Sequence, residues 1–407
     1  MQDKHYPNIF LFNPTCEYAV ANGNASWQAN RLLQKMEADM ATLPLYFANK
    51  KDIVLVPELP DSAFHLQLEQ LEIEPPEFVA EKHLQASPIA NSNELRPWGW
   101  SPAVHKRLEH LKPTCAAAFK ASPVFNWKTD YRELYSKKFA RSILHNLVKT
   151  YPSEHFIAES QLTEVCTSRE TYLELLQKWD KLMVKAPWSS SGRGLQPVRY
   201  TPIHPKVWDK LLGIIKDQGY AIVEPYLDKV IDLAFQFKLK NKKVSFIGIS
   251  NFSTDYKGQY NGNSLNGLPD SLHTEVKQFI KCLPEIILPG LTFLLEQSNL
   301  AESYEGYFGV DTLIFRDQNK QLKVNPCLEI NVRHNMGLLS LYLEKFIHPT
   351  QKGRFLTYYD PKKDFASFCN EMKKTYPLQL TNHKIVSGFC PLTAYSAHTK
   401  FGAYLLV

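Results

Sequence analysis

The stretch that decides the fold runs from Gly306 to Arg333 and reads GYFGVDTLIFRDQNKQLKVNPCLEINVR. Two largely apolar, β-prone runs flank a polar tip, RDQNK, centred near Asn319, which is the pattern of an antiparallel hairpin. Folding the chain there brings Asp311 almost opposite Glu329. Residues i and i+2 of a strand point to the same face, so Glu329 and Asn331 lie side by side. If Asp311 shares that face, two carboxylates and one amide carbonyl gather on one surface of a sheet. Such hard oxygen ligands suit Mg²⁺, which takes few groups from protein and completes its octahedron with phosphates and waters. Acids inside apolar strands also need a partner, because burying an unpaired charge is costly. The register decides the matter, and the alternative is that these acids face solvent or pair with Arg333. Pro326 lies inside the second run and cannot donate to a ladder, so a sheet edge or a bulge is expected there.

Working outward, an apolar strand KLMVKAP carries Lys185 into the loop WSSSGRGL. Glycines let backbone N–H groups approach phosphate oxygens, and the hydroxyls of Ser189, Ser190 and Ser191 add donors. Lys185 and Arg193 supply positive charge against a polyphosphate. The loop is no Walker A motif, and a kinase-type GxGxxG fails at Pro197. Alone, it reads equally well as a plain Ser/Gly linker. Next comes YAIVEPYLDKVIDL, a strand ending in Glu224, Pro225, Tyr226 and Leu227. Free backbone groups at such an end can hydrogen-bond an adenine edge, and a nearby carboxylate can hold ribose hydroxyls. In isolation it is an ordinary strand end.

The order of these parts is more telling than any one of them. Lysine strand, Gly/Ser loop, Glu-terminated strand, Asp strand and a Glu-x-Asn strand follow one another, and over roughly residues 130–340 the sequence resembles the ATP-grasp superfamily. EINVR looks like that family's Glu-x-Asn-x-Arg strand. The resemblance implies that Asp311, Glu329 and Asn331 bind one or two Mg²⁺ (Mn²⁺ as a substitute) that bridge to ATP. It implies Lys185 at the phosphates and base, Ser189–Gly194 as the loop over the β- and γ-phosphates (Ser190, Ser191, Gly192 and Arg193 included), and Glu224, Tyr226 and Leu227 at the adenine hinge. Asp232 matches a ribose-binding position. Lys137, in YSKKFARSIL, matches the lysine at the start of the first lid helix, with Lys138 as the alternative. Arg333 matches an arginine that steadies an acyl phosphate or an acceptor carboxylate. The serine-dense loop departs from the family's usual glycine density.

The implied fold is α/β, α+β in the ATP-binding part, with a Rossmann-like layer in front. NIFLF and DIVLVPE read as strands, and the stretch from about Ser26 to Phe47 and Ala103–Leu111 read as helical. The dinucleotide glycine fingerprint is missing from NPTCEYAVANGNAS, so NAD is not implied. The expected boundaries are 1–125 for the N-terminal domain, 126–222 for the lid and 223–407 for the part with metal and substrate sites. FQFKLKNKKVSFIGIS reads as a hairpin with a solvated tip, and STDYKGQYNGNSLNG (253–267) as a long loop able to cover a site.

Composition narrows the function classes. A chain of 407 residues with 44% hydrophobic residues buries a large core. The net charge of +6 is spread out, without the dense basic stripe of a nucleic-acid binder. Seven dispersed cysteines with no CxxC pair suggest neither a disulfide framework nor zinc. The first apolar run is too short for a signal peptide, and CLPEIILPGLTFLL, with Glu285 and two prolines, reads as a core helix or loop rather than a bilayer span. A cytoplasmic enzyme without membrane partners is expected, and a homodimer would be unsurprising.

The function expected is a ligase that activates a small-molecule or peptide carboxylate with ATP for attack by an amine. A phosphotransferase of the same fold and a non-catalytic nucleotide-binding module are the rivals. Tyr256, Tyr260 and Asn263 are candidates for acceptor contacts, and His334 and His398 for general bases. The C-terminal CPLTAYSAHTKFGAYLLV is a second candidate to close the pocket.

Overall fold

A computed structural model of the chain describes residues 6–84, 88–189, 194–254 and 260–407. It divides into two compact units. The first comprises residues 1–127, 262–268 and 333–407, and the second 128–261 and 269–332.

The first unit opens with a parallel sheet in the order Glu77–Ala80, Ile53–Val56, Ile9–Leu11, Leu95–Pro97. The strands expected in NIFLF and DIVLVPE lie at Ile9–Leu11 and Ile53–Val56, where their apolar runs place them. The helical stretch begins later than its apolar spacing suggests, at Arg31, because the Asn30 side chain caps Leu33 N–H at 3.0 Å. It also ends earlier, at Asp39, before a 3₁₀ turn over Leu43–Tyr46 that Pro44 starts. The Ala103–Leu111 helix is likewise split, into Pro102–Arg107 and a 3₁₀ segment. Residues 333–407 fold back into this unit instead of extending the part that carries residues 223–261 and 269–332. Leu339, Leu343, Phe355, Leu392 and Leu405 share one buried core with Phe12, Leu43 and Phe64, and Tyr46 Oη donates to Leu392 O at 2.9 Å. The C-terminal segment is therefore core and strand (Phe401–Leu406 pairs with Gly353–Tyr359), not a cover. The expected loop at 253–267 contains the strand Tyr260–Leu265, whose Asn263–Leu265 pair antiparallel with Phe355–Gly353. Its part from Asp255 to Gln259, with Tyr256, lies outside the described residues.

Two histidines of this unit are buried as neutral rings. Desolvation holds His105, stacked on Trp100 at 4.5 Å, at about 3 and His334 at about 4. In the unfolded chain both take a proton below about pH 6.5. The unfolded state then binds more protons than the fold, so stability is complete above that pH and falls as pH drops from 6.5 toward 4. The slope is about 1.4 kcal/mol per pH unit for each histidine. Denaturant midpoints measured between about pH 7 and 5 should show it, and His105→Phe, which keeps the stack, should flatten it by one proton; an identical slope in that variant would refute the assignment.

The second unit holds two layers. A small antiparallel sheet runs Glu164–Cys166, Ala221–Pro225, Leu182–Lys185, Leu195–Val198, and packs on the helices Arg169–Trp179 and Pro205–Gln218 through Tyr172, Leu176, Val184, Leu211 and Val223. Four longer antiparallel strands follow in the order Leu322–Asn331, Gly306–Arg316, Asp228–Lys240, Lys243–Thr254. The hairpin between the last two turns on Asn241 and Lys242 with φ of 51° and 62°, as a two-residue primed turn requires. The apolar stretch with Pro284 and Pro289 forms one helix, Thr274–Glu296. By length and composition this helix could cross a bilayer. Its Ile280, Leu283, Ile287 and Leu291 are buried, and it packs on the helix Lys137–Thr150 and on the strand Leu322–Asn331.

Candidate active site

The long hairpin places its acids through a bulge. From the tip inward, Arg316 pairs with Leu322 and Leu313 with Asn325, but Asp311 then pairs with Glu329. Two positions on one strand thus face four on the other, and Pro326 lies within the excess. A regular ladder would have set Cys327 opposite Asp311. Because Asp311 and Glu329 are direct partners, their side chains share a face, and Asn331, opposite Gly309, lies on the same face two residues on. On the neighbouring strand Asp232 is opposite Leu313, and so shares that face. Its Oδ2 accepts from Lys229 Nζ at 2.7 Å and from Thr254 Oγ1 at 3.2 Å. Neither partner stands out in the sequence, although Lys229 lies three residues before the aspartate.

One of the candidate lysines, Lys137, meets one of these carboxylates, Glu329. The basic stretch DYRELYSKKFARSILHNLV is not one helix. A 3₁₀ segment Thr129–Tyr135 ends at Ser136, whose hydroxyl caps Lys138 N–H, and the helix starts at Lys137. The Lys137 N–H donates to Pro187 O at 3.0 Å, tying the helix start to the end of the lysine strand. The Lys137 side chain is 4% exposed, and its Nζ reaches Glu329 Oε1 at 2.7 Å, Ser189 O at 2.9 Å and Ser189 Oγ at 3.3 Å. Lys138 is exposed and lies over the Tyr220 ring.

Lys185 and Glu224 form a second buried pair at 2.6 Å, their side chains 6% and 9% exposed. Burial pushes the Glu224 carboxyl up, Lys185 opposes this, and the charges of Glu329 and Lys137 are felt there too, so the two pairs form one electrostatic cluster. Tyr226 N–H is spent on Lys181 O at 2.9 Å, its ring lies beneath the Arg199 guanidinium, and Leu227 O accepts from Lys229 N–H at 3.0 Å. Trp188 anchors the start of the serine loop. It is buried, hydrogen-bonds Gln218 and Arg132 O, and carries the Arg132 guanidinium at 3.7 Å from its ring. Ser190, Ser191, Gly192 and Arg193 lie outside the described residues.

Arg333 belongs to the first unit, where Glu17 Oε1 holds its Nε at 2.9 Å. Gly99 makes this packing possible, since a Cβ there would meet Cys16 Sγ at 2.3 Å and Arg333 Cβ at 3.0 Å. His398 is exposed, and the buried His334 is too weak a base for proton transfer near neutrality.

Among the described residues no three His, Cys, Asp or Glu side chains form a metal-binding group. Asp311, Glu329 and Asn331 instead offer two carboxylates and an amide on one face. That suits a Mg²⁺ ion that takes its remaining oxygens from phosphate and water.

No family model and no curated protein matches the chain. Solved structures do. N5-carboxyaminoimidazole synthetase from Staphylococcus aureus complexed with ADP matches at 13% identity and a TM-score of 0.45, over 99% of this chain and 94% of that one. The biotin carboxylase–β-γ-ATP complex from Campylobacter jejuni matches at 13% and 0.48, over 87% and 86%. The ADP complex of purK, N5-carboxyaminoimidazole ribonucleotide synthetase, matches at 10% and 0.48, over 99% and 92%. Identities this low and TM-scores below 0.5 leave the function to be argued from the side chains themselves.

Proposed function

We propose that the protein is an ATP-grasp enzyme, an Mg²⁺- and ATP-dependent ligase that activates a substrate carboxylate as an acyl phosphate for attack by an amine. The observation that carries this is the bulged register that sets Asp311 opposite Glu329 with Asn331 on the same face, beside two buried lysines drawn from separate elements. A surface hairpin has no need of a buried lysine on Glu329, nor of a second buried lysine–carboxylate pair, Lys185 with Glu224, in the same electrostatic cluster. A polyphosphate site does, because phosphoryl transfer is catalysed chiefly by positioning and by charge neutralisation.

In this reading Asp311, Glu329 and Asn331 would hold Mg²⁺, which supplies Lewis-acid neutralisation of the phosphate oxygens. Lys137 and Lys185 bind the polyphosphate as point charges. By the resemblance, the Ser189–Gly194 loop would cover it and exclude water. Asp232, held by Lys229 and Thr254, would accept from ribose hydroxyls. The buried Glu224 holds Lys185 at 2.6 Å, and the strand end from Glu224 to Leu227 is the adenine hinge in this reading. A carboxylate oxygen attacks the γ-phosphorus, the bond to the β–γ bridging oxygen breaks, and ADP leaves with that electron pair. The amine nitrogen then attacks the acyl carbon, phosphate departs, and the nitrogen loses a proton. The role the resemblance implies for Arg333, steadying the acyl phosphate, belongs to the same proposal. So do a cytoplasmic setting and a small-molecule or peptide substrate.

The test is ADP release with hydroxylamine as acceptor across a panel of carboxylic acids. Hydroxamate formed together with ADP is the expected result. ADP without hydroxamate would instead make the protein a phosphotransferase. Nucleotide bound with no turnover on any acid would make it a binding module.

A further inference from the structure

Each lysine placed for the polyphosphate is held by a carboxylate of the same cleft. Lys137 Nζ sits on Glu329 Oε1 at 2.7 Å, and Lys185 Nζ on Glu224 Oε1 at 2.6 Å. The first pair is the unusual one. Glu329 is a quarter exposed and belongs to the proposed metal set, whereas Lys137 is almost wholly buried. Burying a long ammonium side chain is costly unless a charge meets it. The remaining acceptors of Lys137, the carbonyl and hydroxyl of Ser189, belong to the first residue of the loop read as phosphate-binding.

We propose that Lys137 is a cation placeholder: its ammonium occupies Glu329 until a metal–nucleotide complex arrives, and binding is an exchange of ion-pair partners in which the metal takes Glu329 and a phosphate takes Lys137. This rests on the Mg–nucleotide reading above. The exchange makes metal and nucleotide mutually dependent. Without phosphate, a divalent ion must displace a buried ammonium or bind beside it, and a positive charge a few ångströms away opposes a second. With phosphate present the ammonium has a new anionic partner and the carboxylate is released. Such coupling is reciprocal, and it keeps the site from filling with metal alone. The exchange also involves Ser189, whose carbonyl and hydroxyl give up the Lys137 ammonium.

The experiment is Mn²⁺ binding to the whole protein, followed by electron paramagnetic resonance and calorimetry, with and without ADP. In the wild type Mn²⁺ should bind weakly alone and much more tightly with ADP. Lys137→Met should raise the affinity for Mn²⁺ alone about tenfold, in the range of ordinary coupling energies, and shrink the gain that ADP brings. Lys137→Met/Glu329→Gln should lose that increase, which locates it at the carboxylate. Lys137→Gln, neutral but still able to donate to Glu329 and Ser189, carries the same expectation if the methionine variant folds poorly. Mn²⁺ affinity in a folded Lys137 variant no higher than wild type would overturn the placeholder role. A wild type that binds no Mn²⁺–ADP at all would overturn the function reading on which it stands.

Discussion

Glu329→Gln is expected to lower ATP turnover about a thousandfold while the protein stays folded. The turnover loss follows from charge. A metal ion held between two carboxylates stabilises the phosphoryl transition state by several kcal/mol, and about 4 kcal/mol corresponds to a thousandfold in rate. The folding expectation follows from the contacts of Lys137. Glutamine keeps a carbonyl where Glu329 Oε1 receives the ammonium, and Ser189 O and Oγ remain within hydrogen-bond distance. The buried lysine therefore loses a charged partner but not its acceptors, at a cost of about 1–3 kcal/mol. Asp311→Asn removes the other carboxylate of the set and should lower turnover alike. ADP release and denaturant midpoints measured on the same preparations separate the loss of rate from any loss of stability. Turnover within a few-fold of wild type in Glu329→Gln would remove the metal assignment, whatever its stability.

The hairpin could be read from the sequence because its signal is local: two β-prone runs around a polar tip fix the turn to within a residue or so, and the tip does turn between Asp317 and Gln321. The facing of Asp311 and Glu329 was not fixed in that way. It depends on a bulge, and a bulge changes register without changing composition; Pro326 signalled that the ladder breaks, not by how many residues. The lysine strand and the strand ending at Glu224 were likewise legible from short-range pattern. What the sequence did not show was pairing at long separation. Lys137 finds Glu329 across 192 positions, and residues 333–407 return to a core that includes Phe12, Leu43, Phe64 and Trp98. Periodicity describes one element at a time, so neither return leaves a trace in it. The family resemblance supplied an order of parts and implied Glu224 at the adenine hinge, but it gave no sign that this buried carboxylate meets Lys185 at 2.6 Å.

That contact sets the second large effect. Lys185→Ala should cut nucleotide affinity and also destabilise the second unit, for reasons that can be separated. Glu224 is buried at the strand end, and without Lys185 its carboxylate has lost the group that opposes desolvation. Removing one partner of a buried pair typically costs about 3–5 kcal/mol, a large part of the about 5–15 kcal/mol that holds a domain together. The surviving carboxyl relieves the penalty by binding a proton, so the destabilisation should be larger near neutral pH than in mild acid. Lys185→Met/Glu224→Gln removes both charges at similar volume and should recover most of the stability. It should not recover nucleotide binding, because the positive charge offered to the polyphosphate is still missing. Calorimetric titration of Mg–ADP into the double variant is thus the cleaner measurement. Wild-type affinity in that folded protein would show that Lys185 serves only to neutralise Glu224. The polyphosphate role of the small sheet that carries Lys185 would fall with it, leaving Lys137 and the hairpin carboxylates to account for any binding.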